Sequence, residues 1–182
     1  MNKIEKPYNY KNCQSLFGYA QRVHVRSGGI CQLCNCGSGL EVDFDLWRQL
    51  TWEHIIGESQ GGYLKEIRIA VARRFQRLPA NEIEEIARRI EEANIVTCCS
   101  FCNSTTSRGK APTTMDDIID SASGAPEDVV TVVETQLEEI LTAKKQHVAW
   151  KIASVKKAFE EQIAPTLNGK RQQARTQGGH LP

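Results

Sequence analysis

Two stretches of this chain carry residue types that can do chemistry. Thr51 to Gly62 reads Thr-Trp-Glu-His-Ile-Ile-Gly-Glu-Ser-Gln-Gly-Gly, and Asn94 to Lys110 reads Asn-Ile-Val-Thr-Cys-Cys-Ser-Phe-Cys-Asn-Ser-Thr-Thr-Ser-Arg-Gly-Lys. They supply a carboxylate beside an imidazole (Glu53, His54), two carboxamides (Asn94, Asn103) and a C-x-x-C pair (Cys99, Cys102). An imidazole with a pKa near ~6.5 is mostly unprotonated at neutral pH and can take a proton from water. A carboxylate and a carboxamide oxygen suit a hard divalent cation. Taken singly each is ordinary: a lone histidine is usually a structural hydrogen bonder, and the asparagines would be turn or helix residues. Their order along the chain is what joins them.

A second knuckle, Cys31-Gln-Leu-Cys34, precedes them. Two C-x-x-C pairs supply the four thiolates of a tetrahedral structural zinc site, and such a site leaves no position for a reacting water. Cys36 leaves the ligand assignment slightly ambiguous. Cys13 and Cys98 lack a partner pattern and read as core thiols. The competing reading is two clusters of buried, reduced cysteines. Seven cysteines, an odd number, in a chain without an evident secretory segment favour metal over disulfides.

The elements that must position these groups follow from periodicity. Leu16, Phe17, Ala20, Val23 and His24 recur at helical spacing, so a helix over about Cys13 to Ser27 is expected, ended by Gly28-Gly29. Leu40 to Leu46 alternates apolar and acidic residues, which predicts a half-exposed strand, and a second strand is expected over Leu50 to Ile56. Tyr63 to Ala93 reads as two helices separated at Leu78-Pro79, the first basic and the second acidic. That sorting either pairs the two helices or lays the first on phosphates, and both stay open. Ile95-Val96-Thr97 predicts a strand, with Ser100 capping a helix to about Ser107. Thr114-Met115-Asp116-Asp117 is a capped helix start. Apolar residues from Val130 to Ile163 keep helical spacing over one long helix or two, either folded back on the core or paired with a partner. Asn168 to Pro182 has no apolar face and is expected to be mobile or to be ordered only by a partner.

A chain of 182 residues can bury one core. With 23 basic and 22 acidic side chains the net charge of +1 says little, and the placement of charge matters more. No apolar run is long enough to span a bilayer, so the expectation is a soluble, cytoplasmic protein.

Glu53-His54-Ile55-Ile56 with Gly61-Gly62, then Asn94, then Cys99-x-x-Cys102-Asn103 with Arg108 and Lys110, resembles the HNH nucleases of the ββα-metal class that carry zinc knuckles. Arg26-Ser27-Gly28-Gly29 before Cys31-x-x-Cys34 is similar to that family too. The resemblance covers about residues 15 to 111, with an insertion at about 64–93. It implies an α+β fold: a ββα-metal core stapled by a four-cysteine zinc site, with an inserted helical pair and a helical C-terminal part. The expected organisation is residues 1–112 as the nuclease domain, 113–167 as a helical extension for packing or dimerisation, and 168–182 as a flexible basic tail.

The resemblance also implies roles. His54 would be the general base, Glu53 (where the family usually has Asp) and Asn103 (often His) would hold Mg²⁺ or Mn²⁺, and Asn94 would fix the loop that bears the histidine. Cys31, Cys34, Cys99 and Cys102 would hold Zn²⁺. Arg68, Arg73, Arg74, Arg77, Arg108 and Lys110 are the expected DNA contacts, with residues 40–50 and the insertion as candidates to read base edges. Phosphodiester hydrolysis needs an activated water, charge neutralisation on the phosphoryl oxygens and a stabilised leaving oxygen, and one histidine and one cation can share these tasks. The implied products carry 5′-phosphate and 3′-hydroxyl ends. A small homodimeric type II restriction endonuclease acting on double-stranded DNA, with no small-molecule cofactor, is the expectation. A homing or phage nicking enzyme, a non-catalytic zinc module and a nuclease toxin are the alternatives.

Overall fold

The computed structural model describes residues 19–106 and 109–176. Helix α1 (Tyr19–Arg26) stops at Ser27-Gly28-Gly29 and leads into the Cys31 knuckle; the part of the expected helix before Tyr19, with Cys13, lies outside the described residues. A one-turn helix α2 (Phe44–Trp47) precedes strand β1 (Leu50–His54). After a 3-10 turn at Glu58–Gln60 come α3 (Leu64–Arg74) and α4 (Ala80–Ala93), then strand β2 (Ile95–Cys99). The two strands form an antiparallel ribbon with Leu50 opposite Cys99 and His54 opposite Ile95. A helical turn follows, with π geometry over Cys102–Thr106, then α5 (Met115–Ser121) and α6 (Pro126–Ala158). Among the described residues the fold is therefore α+β, mostly helical, with one small sheet.

A two-stranded ribbon is marginal in water unless something covers it. Every residue of β2 is buried. On one side Thr97 Oγ1 accepts from Ser27 Oγ (2.7 Å), donates to the Val23 carbonyl (3.2 Å) and lies 3.0 Å from His24 Nδ1. Along its edge Gln32 behaves as a stub of third strand: its N–H donates to the Thr97 carbonyl (2.9 Å) and its side-chain oxygen accepts from the Thr97 N–H (3.0 Å). Helices α3 to α6 bring Ile67, Ile90, Met115, Ile118 and Leu137 into the main core. The hairpin α3–α4 breaks where Leu78-Pro79 predicted, because proline cannot donate to a helix ladder and suits its start. Thr114 and Asp117 form the expected capping box of α5.

Two expectations are corrected. Leu40 to Leu46 is not a strand. Asp43 caps α2 instead, accepting from the Leu46 N–H at 2.9 Å, and Arg48 Nε reaches Asp45 at 2.8 Å. Alternation makes a strand only where a sheet edge accepts it, and short-range bonds from aspartate offer the backbone a local alternative. Leu40, Val42 and Phe44 are consequently exposed. Nor does the chain leave its helix at Asn168: α7 (Ala164–Thr176) carries it through Thr176, with none of its side chains buried. Residues 177–182 lie outside the described residues.

Helices α6 and α7 are one rod joined by a π-turn at Phe159–Ile163, where the Ala164 N–H donates to the Phe159 carbonyl, five residues back. The cause stands next door. Pro165 has no N–H for the Glu161 carbonyl, and its ring would press on that oxygen in a regular α-turn. Among the described residues no helix is long and apolar enough to cross a membrane.

Candidate metal centre and active site

The β1–β2 ribbon and the two knuckles converge at one end. Cys31 and Cys34 come from the turn after α1, Cys99 closes β2 and Cys102 opens the next helical turn. Their four Sγ atoms all lie within 4.8 Å of one another. Cys34 and Cys99 are 3.8 Å apart at sulfur. That is the edge of a tetrahedron with Zn–S bonds of about 2.3 Å, for which the S···S distance is about 3.8 Å, and it is far beyond a disulfide bond. The Cys102 N–H donates to Cys99 Sγ at 3.4 Å, a lowering influence outweighed by the S–H donation to Cys31 and by burial, which together hold the Cys99 thiol above its usual range. The donor set therefore fits a structural zinc ion, as the spacing predicted.

Electrostatics argue the same way. Cys31 is held well below the usual thiol range by S–H donation from Cys98 and then Cys99, while burial pushes Cys102 up to about 12. Crowded thiolates repel, so without a cation most keep their protons; metal uptake would release them. Cys36 stands beside the group, half-buried, pushed up to about 11 by burial and then by Cys34. It is outside the four-sulfur cluster. Cys98 Sγ lies 3.5 Å from the Cys99 carbonyl, and the residue is buried in the core, as expected for it.

His54 ends β1. Its ring is 7% exposed, clamped between the face of Tyr63 (centroids 4.2 Å apart) and the edge of Trp52 (5.2 Å). Burial pulls its pKa down to about 4, so the neutral base is the resting form. Its buried Nε2 has no hydrogen-bond partner among the described residues, a condition shared with His24 Nε2 and Arg74 Nε. Such atoms are uncommon in folded proteins, and reaction sites are one place where they occur.

Asn94 closes α4 one residue before β2 and is fully buried. Its side chain accepts from the Ile56 N–H (2.8 Å) and donates to the carbonyls of Ile56 (2.9 Å) and Gly62 (2.8 Å). Its own carbonyl accepts from the Ile55 N–H (2.8 Å). One carboxamide thus closes the loop that follows His54. Gly62 is required there, since an added Cβ would sit 1.7 Å from the Ile56 oxygen, and Gly61 takes a positive φ of 77°. Asn94→Ala would leave three buried backbone groups unpaired, at about 1–3 kcal/mol each. We expect the urea midpoint to show a loss of several kcal/mol; an unchanged midpoint would remove the clasp from the account.

Asn103 returns from the turn after β2 onto β1, its Nδ2 lying 3.5 Å from Thr51 Oγ1 and 3.4 Å from the Trp52 carbonyl. Glu53 is half-buried and close enough to Tyr63 and Lys144 to influence both. Periodicity passed over Lys144 and Tyr63. Lys144 crosses from α6 to donate to the Ile55 carbonyl at 2.6 Å. Its signal was its position, since it falls between Ile140 and Val148 on the apolar stripe where a charge is out of place.

The basic residues expected to meet DNA divide. Arg73 pairs with Asp116 (3.2 Å) and Asp120 (2.7 Å) of α5, and Arg74 donates to the Asp120 and Ala122 carbonyls. Arg68 reaches Glu84 of α4 at 3.5 Å. Arg77 and Lys110 are exposed. Arg108 lies outside the described residues. Neither protein-family models, nor curated proteins, nor solved structures return a match to this chain.

Proposed function

We propose that this chain is a metal-dependent DNA endonuclease of the HNH kind, a small type II restriction enzyme of the cytoplasm. The observation that carries the reading is the arrangement around His54. The histidine ends the first strand, Asn94 clasps its loop from the start of the second, and Asn103 comes back to the first strand from the helical turn that follows. Four thiols gather at the other end of that ribbon. In this reading His54 takes a proton from the attacking water, while Trp52 and Tyr63 hold the ring in one orientation. A Mg²⁺ or Mn²⁺ ion held by Glu53 and Asn103 would neutralise the phosphoryl oxygens and stabilise the departing oxygen.

We further propose that it acts as a homodimer. Val155, Phe159, Ile163 and Leu167 are 45–49% exposed, too alike for scattered positions. Val155 and Ile163 stand four residues either side of Phe159. A second copy laid antiparallel about Phe159 would cover this row with its own equivalent side chains.

A non-catalytic zinc module that binds DNA is favoured by one fact, the burial of His54 beneath Tyr63. Supercoiled plasmid with Mg²⁺ separates the readings. Discrete linear fragments and a dimer mass in sedimentation are expected. Nicked circles from a monomer would favour a nicking or homing enzyme, and binding without hydrolysis would sink the nuclease.

A further inference from the structure

A cavity of about 270 Å³ opens between α6 and the loop 109–112. It is lined by Lys110, Lys144, His147 and Lys151 and by apolar residues including Leu33 and Val148, and among the described residues no carboxylate lines it. Lys144, His147 and Lys151 occupy positions i, i+3 and i+7 of α6, one face of a helix. Lys110 faces them from the loop. Three lysines around a cleft that no described carboxylate lines suit a polyanion.

The row also has a direction. Its inner member, Lys144, touches the Ile55 carbonyl one residue past His54, and it is partly stripped of water, which lowers its pKa against the opposing influence of Glu53. Its outer member, Lys151, lies two turns away, about 10.5 Å along the helix axis, a rise of about three nucleotides at ~3.4 Å per nucleotide of one strand. Next to Lys151 in the chain, Trp150 is 69% exposed with its ring 6.5 Å from His147. An exposed indole beside lysines is a stacking surface for a base or sugar, which a peptide carboxylate would not use.

We propose that this cleft binds the phosphodiester backbone of a nucleic acid strand and leads it past Lys144 to His54. The link to His54 rests on the nuclease reading; the binding itself does not. Helix α6 is then a nucleic-acid-contacting element, and Lys144, His147 and Lys151 join Lys110 as its residues.

The test is fluorescence anisotropy of a labelled 20-base-pair duplex with the zinc-loaded protein and no other divalent ion, across a salt series. Lys110→Gln with Lys151→Gln is expected to weaken binding about tenfold and to lower the salt slope by about 1.8, since each lost phosphate contact removes ~0.9. Lys144 is left intact there because it also holds the Ile55 loop. Lys170→Gln with Arg171→Gln makes the same charge change on α7, where both side chains are exposed, and should leave binding near wild type. Equal weakening by both pairs would overturn the cleft as the site, and so would displacement by polyglutamate as effective as by unlabelled duplex. Wild-type protein that binds through the cleft and never cuts would uphold this proposal and end the nuclease reading. Cleaving protein whose cleft variant binds normally would do the reverse.

Discussion

Changing Cys99 to serine is expected to abolish zinc uptake and to melt the small sheet. Metal analysis is expected to give one zinc per wild-type chain and none for Cys99→Ser, while Cys36→Ser keeps its zinc because Cys36 is outside the four-sulfur group. Structural zinc sites contribute about 10–16 kcal/mol in apparent binding energy, and a domain's whole stability is about 5–15 kcal/mol. The loss cannot be absorbed by a five-residue ribbon whose edge is completed by the knuckle itself, through Gln32 and Thr97. Helices α3 to α6 bury Ile67, Met115 and Leu137 against one another and carry none of the four sulfur ligands, so most far-ultraviolet helicity should survive. Amide protection at Val96 and Thr97 should vanish, and the thermal midpoint should fall by more than about 10 °C, since ~2–4 °C accompany each kcal/mol at this size. Wild-type protein free of zinc and just as stable would refute the staple.

His54→Ala is the second large effect. A general base contributes about 10²–10⁴-fold to a rate, so cleavage should fall by that factor while zinc content and the helical spectrum stay the same. The acid limb gives an independent reading. Burial holds the imidazole near 4, so it is the neutral base throughout pH 5–8 and the rate should show no inflection near pH 6.5. The decline should come only toward pH 4. Stability follows the same group with a definite sign. The folded value lies below the unfolded ~6.5, so the contribution of the neutral ring is complete above pH 6.5 and is lost as pH falls toward 4. Wild-type cutting by His54→Ala, or an inflection near 6.5 that the variant retains, would remove His54 from the chemistry.

Much of this architecture is legible in the residues because it depends on local or pairwise rules. Leu78-Pro79 marks the hairpin break, Thr114 with Asp117 marks a helix start, and two C-x-x-C pairs announce four sulfurs that must meet. Asn94 was legible through resemblance, though the three bonds it makes depend on where Ile56 and Gly62 end up. Leu40 to Leu46 misled because alternation reports a tendency and a strand needs an edge to join; Asp43 offered a nearer partner. The helix beyond Asn168 was missed because an exposed rod needs no apolar face to continue from a helix already begun, nucleation being the costly step. Lys144 and Tyr63 could not be read as neighbours of Glu53 at all, since only tertiary packing brings α6 and the start of α3 to the end of β1.

The π-turn at Phe159–Ile163 acts on everything downstream as a phase correction. In a regular α-helix residues four apart drift around the axis by about 40° per step, so Val155, Phe159, Ile163 and Leu167 would spiral away from one another. The wider turn takes up the surplus and realigns the second pair with the first. Pro165, which on its face only spoils a hydrogen bond, thereby keeps a row of side chains straight enough for another helix to lie along.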